Sequence, residues 1–293
     1  MMGVGTGLGV DPAITAGAIV SGAYFGDKMS PLSDSTILAS AMTETDIWVH
    51  IKNMLWTTIP GAVICLFIYL VLGFSNAAAA YDQSVISAIT ESIMGIYNID
   101  IIAVIPLIVV IFMIIGRVST VGALLTGAIL SAAVAVLHQG YSLQEIAGYL
   151  YKGFTVDSTD AFLTGILNRG GLLSMMNLVA MIFVALGLGG IISETGLLQP
   201  VFEKIAANVR SAKSVLVMAW IVVWICILVV PTYNFAFVLV PTLFNPIMKR
   251  YNLKPENLSR ILEDVGTLGG NILPWCVGPA FASGVLGIQT TQY

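Results

Sequence analysis

Charge is what this sequence has least of. Asp, Glu, Lys and Arg make up 10% of its 293 residues, against about a quarter in an ordinary soluble chain. Hydrophobic residues make up 57%, and the mean hydropathy is +0.93. This shortage excludes an ordinary soluble domain. With apolar runs of about 20 residues, it points to helices that cross a bilayer. The net charge of −4 leaves no basic surface suited to nucleic acid. Cysteines are few, and Cys65, Cys226 and Cys276 lie scattered in apolar segments. They have neither disulfide nor zinc spacing and read as small buried side chains. Segments of about 10 residues with strict alternation, the mark of a membrane β-barrel, are absent. Met1 to Val10 has no basic start, so no cleavable signal peptide is expected. There is no P-loop, no Gly-x-Ser-x-Gly, no metal-binding His pair and no haem motif. An enzyme is therefore not expected, nor a cofactor.

What is present reads as an all-α, polytopic transmembrane helical bundle, a single transporter domain over residues 1–293. Its approximate spans are 1–23, 54–74, 101–115, 120–137, 172–192, 214–230, 231–248 and 272–288. The first is glycine-rich, with Pro12 after Asp11, and suits an interrupted segment. Residues 41–53 read as an amphipathic surface helix capped by Thr43 or Thr45. A clean span then opens at Met54, with Trp56 at its entry. His50 and His138 sit at segment ends and read as surface residues. Pro231-Thr-Tyr-Asn234 breaks a long apolar run. Basic residues give the orientation. Lys52, Arg117, the group Lys204, Arg210 and Lys213, and the group Lys249, Arg250, Lys254 and Arg260 place 41–53, 116–119, 193–213 and 249–260 in the cytoplasm. Residues 75–99, with neither Lys nor Arg, fall outside, and parity puts 138–171 outside with them.

Two polar constellations stand out against this apolar background. Residues 22–39 carry Asp27, Lys28, Ser30, Pro31, Ser33, Asp34, Ser35 and Thr36. Alone, this stretch suits either a solvated loop or broken backbone inside the membrane. Hard cations prefer oxygen ligands, and Pro31 frees a carbonyl by removing a backbone donor. Ionisable groups at membrane depth cost a few kcal/mol each and mark pathways. The second constellation is Leu262-Glu-Asp-Val-Gly-Thr-Leu-Gly-Gly-Asn-Ile-Leu-Pro-Trp275. Asp34-Ser-Thr36 and Asp264-Val-Gly-Thr267 look like two versions of one device. Broken helices in corresponding positions of inverted repeats point to a secondary-transporter site. Asn177 and the trio Thr232, Tyr233 and Asn234 are candidate uncharged ligands, with helix–helix hydrogen bonding equally open. Asp157, Ser158, Thr159 and Asp160 read as a solvated loop, and Glu194 as an interfacial residue.

These residues carry a family resemblance. Gly22-Ala-Tyr-Phe-Gly-Asp-Lys-Met-Ser-Pro-Leu-Ser-Asp-Ser-Thr36 resembles the signature of the NhaC-type Na+/H+ antiporters, within the wider ion-transporter superfamily. Arg169-Gly-Gly-Leu-Leu-Ser-Met-Met176, Gly189-Gly-Ile-Ile-Ser-Glu-Thr-Gly196, Pro255-Glu-Asn-Leu-Ser-Arg-Ile-Leu-Glu-Asp-Val-Gly-Thr267 and Ile272-Leu-Pro-Trp275 agree with it in order. The chain departs at Leu268-Gly-Gly-Asn271 and Cys276, where the family tends to carry Thr-Ser-Pro-type residues and an Asn. Family members run well beyond this length, so helices before Met1 are expected to be missing. The resemblance implies a multi-pass protein of the cell (inner) membrane that exchanges Na+ for H+, with lipid and these two ions as its partners and self-association left open. Desolvation disfavours a charged carboxylate, so Na+ and H+ would compete for one site. Asp34 is the first candidate ligand and Asp264 the second. Ser33, Thr36, Thr267 and Asn234 would complete the coordination, and Asp27 would pair with Lys28. A carrier of organic anions or amino acids, as in malate–lactate exchange, and a non-transporting fragment are the alternatives.

Overall fold

The computed structural model describes residues 1–2, 5, 10–31, 33–76, 91, 94–95, 97–98, 100–116, 118–156, 167–168, 170–196, 199–207 and 209–293. Asp82, Arg117, Asp157–Asp160 and Arg169 lie outside them, as does the side chain of Asn177. Every regular element among the described residues is helical. Two compact units form, one from Met1–Ala79 with Asn177–Tyr293 and the other from Ala80–Met176.

The first unit opens with α1 (Pro12–Lys28), α2 (Asp34–Met42) and α3 (Ile47–Asn76). It continues from Asn177 on through α7 (Leu172–Thr195), whose first five residues belong to the other unit, then α8 (Gln199–Ala207), α9 (Ala212–Val229), α10 (Tyr233–Arg250) and α11 (Pro255–Ile261). A π-helical segment (Leu262–Gly269) and α12 (Val277–Leu286) close it. Its core lies where α9 packs on α10 and on the π segment, through Val222, Val223, Cys226, Phe237, Phe244 and Leu262. Cys226 and Cys276 are buried as expected, whereas Cys65 is exposed.

α3 corrects the expected split at Met54. It runs unbroken from Ile47, and Asp46 is its cap, accepting from the backbone amides of Trp48 (2.9 Å) and Val49 (3.1 Å). Thr43 instead closes α2. His50 is buried, with its Nδ1 2.8 Å from Ser259 Oγ. About three to four turns on, the same helix presents Val63, Ile64, Leu66 and Phe67, each more than half exposed. α3 and α9 are long and apolar enough to cross a membrane, and shorter apolar helices lie at Ile101–Ile115, Val121–Leu137, Ile182–Ile192 and Val277–Leu286.

The second unit holds α4 (Ile101–Ile115), α5 (Thr120–Leu137) and α6 (Leu143–Lys152). α4 packs on α5, and Asp100 caps α4 by accepting from Ile102 and Ala103. Asn98 and Gln139 exchange two hydrogen bonds, of 2.9 and 2.7 Å. Tyr141, Tyr149 and Phe154 form an edge-on aromatic cluster. α6 starts on a reciprocal capping box: Ser142 Oγ accepts from the Glu145 amide, and Glu145 accepts from the Ser142 amide. That amide, and then the Ser142 hydroxyl, hold the Glu145 carboxyl below its ordinary range. A lowered carboxyl stabilises α6 above the ordinary glutamate pKa, and the contribution disappears as pH falls through the lowered value. Ser142→Ala should weaken α6 by about 1 kcal/mol. Hydrogen exchange of the α6 amides, compared at neutral and acid pH, checks this: the gap between wild type and variant should narrow on acidification.

Candidate functional site

Three helix interruptions in the first unit build the site. α1 begins at Asp11, which caps it, and ends at Lys28. The chain turns through Ser30 and Ser33, and α2 starts at Asp34, where a carboxylate suits the positive end of the helix. Thr36 donates its hydroxyl to the Lys28 carbonyl (3.2 Å), satisfying an acceptor that the end of α1 leaves open. Ser33 sits at the cap position of α2 but makes no capping bond, and its Oγ lies 3.1 Å from Ser35 Oγ. The second interruption separates α9 from α10 at Val230–Thr232, with Thr232 capping α10. The third is the π segment and the turn after it. π geometry is uncommon and often accompanies function. Here it brings Gly266 against the Phe237 ring and Gly269 against Trp224, where an added methyl group would stand 2.8 Å from Cη2.

Side chains tie the three together. The Lys28 ammonium donates to Asp264 Oδ1, which also accepts from Thr57 Oγ1 (3.1 Å). The Tyr233 hydroxyl donates to Asp34 Oδ2 (2.7 Å). The Val277 amide donates to the Pro231 carbonyl (3.1 Å). Lys28 and Glu263 are wholly buried, while the Asp264 side chain is 26% exposed. The Glu263 oxygens and Thr267 Oγ1 make no hydrogen bond among the described residues. The hydroxyls of Ser35 and Thr267 face Glu263, and Lys28 and Asp27 stand near enough to interact with it electrostatically.

Beside this cluster lies a cavity of about 400 Å³, whose walls include Asp27, Tyr24, Tyr233, Asn234, Thr267 and Asn271. A second cavity, of about 780 Å³, is bordered by Lys28, Thr57 and Tyr69. Tyr24 and Asn271 stand in the walls of both. Asn271 donates to the Thr267 carbonyl and so braces the turn after the π segment.

The structure thus brings Asp27, Ser33, Asp34, Thr36, Asn234, Asp264 and Thr267 into one unit, with Asp27, Asn234 and Thr267 on one cavity. The expected pair between Asp27 and Lys28 does not form. Neighbouring helical residues do not face each other, and Lys28 turns inward to Asp264. Asp27 and Asp34 are exposed, and the enclosed carboxylate is Glu263. That residue was readable in principle: Glu263 stands four residues before Thr267, a spacing that shares a helix face as readily as the three-residue spacing of Asp264. Glu194 is exposed near the end of α7. Among the described residues, no three His, Cys, Asp or Glu side chains converge on a single metal position.

Comparison with known proteins gives a consistent picture. The model of the Na+/H+ antiporter family matches residues 22–293. The chain is 33% identical to the malate-2H+/Na+-lactate antiporter of Bacillus subtilis, over all of this chain and 63% of that protein. It is 34% identical to the Na+/H+ antiporter NhaC of Alkalihalophilus pseudofirmus, again over the whole chain and 63% of the relative. It is 32% identical to the arginine/ornithine antiporter ArcD of Halobacterium salinarum, over the whole chain and 61% of that protein. The chain therefore spans somewhat under two thirds of the length of these relatives. No solved structure matches it significantly.

The ion pair yields a direct stability test. Breaking a buried pair leaves one charge uncompensated, at a cost of about 3–5 kcal/mol, whereas replacing both partners is far milder. Lys28→Met should lower the unfolding midpoint in detergent, and adding Asp264→Leu should restore most of the loss. Scanning calorimetry of the single and double variants checks it.

Proposed function

We propose, from the premise that the chain belongs to the Na+/H+ antiporter family, that it exchanges Na+ for H+ across the cytoplasmic membrane. It would do so as a multi-pass helical bundle with discontinuous helices, the two ions competing for a carboxylate site within the membrane. The observation that carries this reading is the meeting of three interrupted helices around carboxylates, hydroxyls and one buried ammonium, beside a cavity. A protein that only packed its helices would have no use for so many charged and hydroxyl groups in an apolar setting.

Asp34 is open to an incoming ion and is steadied by the Tyr233 hydroxyl. Asp264 already holds the Lys28 ammonium, so an ion reaching it must first displace that group. Ser33, Thr36, Thr267, Asn234 and Asp27 supply neutral and charged oxygens around the same interruptions. A carboxylate that binds either a proton or Na+, but not both, couples the two fluxes without a separate gate for each. No cofactor takes part, and Na+ and H+ are the cargo.

One observation favours a second reading. A cavity of about 400 Å³ exceeds the ~30 Å³ share of one water many times over. It also has apolar walls at Ile182, Leu186 and Phe281. Such a space suits a small organic ion carried with, or against, Na+ or H+.

Everted vesicles containing the full-length protein distinguish these. Added Na+ should drive proton movement, read with a pH-sensitive dye, and Asp34→Asn should reduce it by at least about tenfold, equivalent to ~1.4 kcal/mol. Full exchange in that variant removes Asp34 as the shared ligand. Saturable uptake of labelled malate, lactate or arginine without Na+-driven proton movement would favour the organic reading.

A further inference from the structure

The cargo site has a more definite location than the exposed aspartates provide. Lys28, Glu263 and Asp264 meet at the junction of α1, the π segment and α3. Their formal charges are one positive and two negative, so the cluster carries one uncompensated negative charge. Asp264 takes the Lys28 ammonium and the Thr57 hydroxyl. The surplus therefore falls on Glu263, which is wholly buried and has no hydrogen-bond donor on either oxygen among the described residues. A buried, unpaired carboxylate is among the costliest arrangements in a folded chain.

The surroundings of Glu263 are those of a cation ligand. Ser35 and Thr267 turn hydroxyls towards it without bonding to it, and Thr267 Oγ1 is likewise buried and unpartnered. Each hydroxyl has lone pairs to offer a cation. Two unsatisfied groups of this kind, side by side, leave a position between them for something that attracts oxygen. Thr267 also stands in the wall of the 400 Å³ cavity, along with Gly266 and Asp27. The cavity thus reaches Thr267, and the Asp27 carboxylate in its wall would attract a cation. With Asp264 taken by Lys28, Glu263 is the buried carboxylate left for a cation, and Asp27 adds a second negative charge nearby.

We infer that Glu263, with Thr267 and Ser35, forms the buried binding pocket for the transported cation, and that Lys28 occupies the neighbouring Asp264 so that Glu263 is left to bind it. This inference rests on the antiporter reading and gives it a location. Asp34 and Asp27 then serve the approach to the pocket.

Equilibrium binding of 22Na+ to the purified full-length protein in detergent tests it, in parallel with the vesicle assay. Glu263→Gln should abolish saturable binding. Because that substitution sits in the core, Thr267→Val, which keeps the shape and removes the hydroxyl, gives a milder probe. It should weaken Na+ binding by about tenfold, while Thr267→Ser should bind like the wild type. If wild type binds and exchanges Na+ but Glu263→Gln and Thr267→Val bind it equally well, the pocket is wrong and the antiporter reading stands. If wild type neither binds Na+ nor exchanges it for protons, both fall.

Discussion

A buried ammonium governs the first unit. Lys28 has no exposed surface, and a lone charge in an apolar interior costs several kcal/mol. Its partner, Asp264, lies 236 residues away in the chain. Their bond brings the end of α1 to the π segment and, through Thr57, to α3. The second link, Tyr233 to Asp34, brings the start of α2 to the start of α10. Breaks that would be weak points in isolated helices become the places where the helices are fastened to each other. Asp34 and Asp264 at two of the breaks are each held by a side chain from another break, while Glu263 and Thr267 find no hydrogen-bond partner among the described residues.

The sequence revealed the breaks more readily than their partnerships. Pro31 and Pro231 announce interruptions because proline cannot donate a backbone hydrogen bond, and chain breaks lie at both. His50 was misjudged: beside Lys52 it resembles a surface residue, yet it is buried against Ser259, 209 residues further on. Glu263 was overlooked in favour of Asp264 because adjacent acidic residues look equivalent in one dimension. Only the direction each takes from the π segment separates a carboxylate held by an ammonium from one held by nothing.

The apolar residues divide in a similar way. α9 and α10 bury theirs against each other and against the π segment. α3 leaves Val63, Ile64, Leu66 and Phe67 uncovered, a surface that water would penalise and hydrocarbon would not. Composition establishes that such residues are numerous. It cannot say which of them face protein, because an all-round apolar helix has no favoured side.

The glycines of the π segment have a mechanical consequence. At Gly266 and Gly269 the backbone itself rests on the rings of Phe237 and Trp224, with no room for a methyl group between them. Those rings belong to α10 and α9. A segment seated so closely has no clearance to roll about its own axis. Any displacement of Glu263 or Asp264 must therefore be passed to α9 and α10 as a push or a pull, as through a keyed shaft.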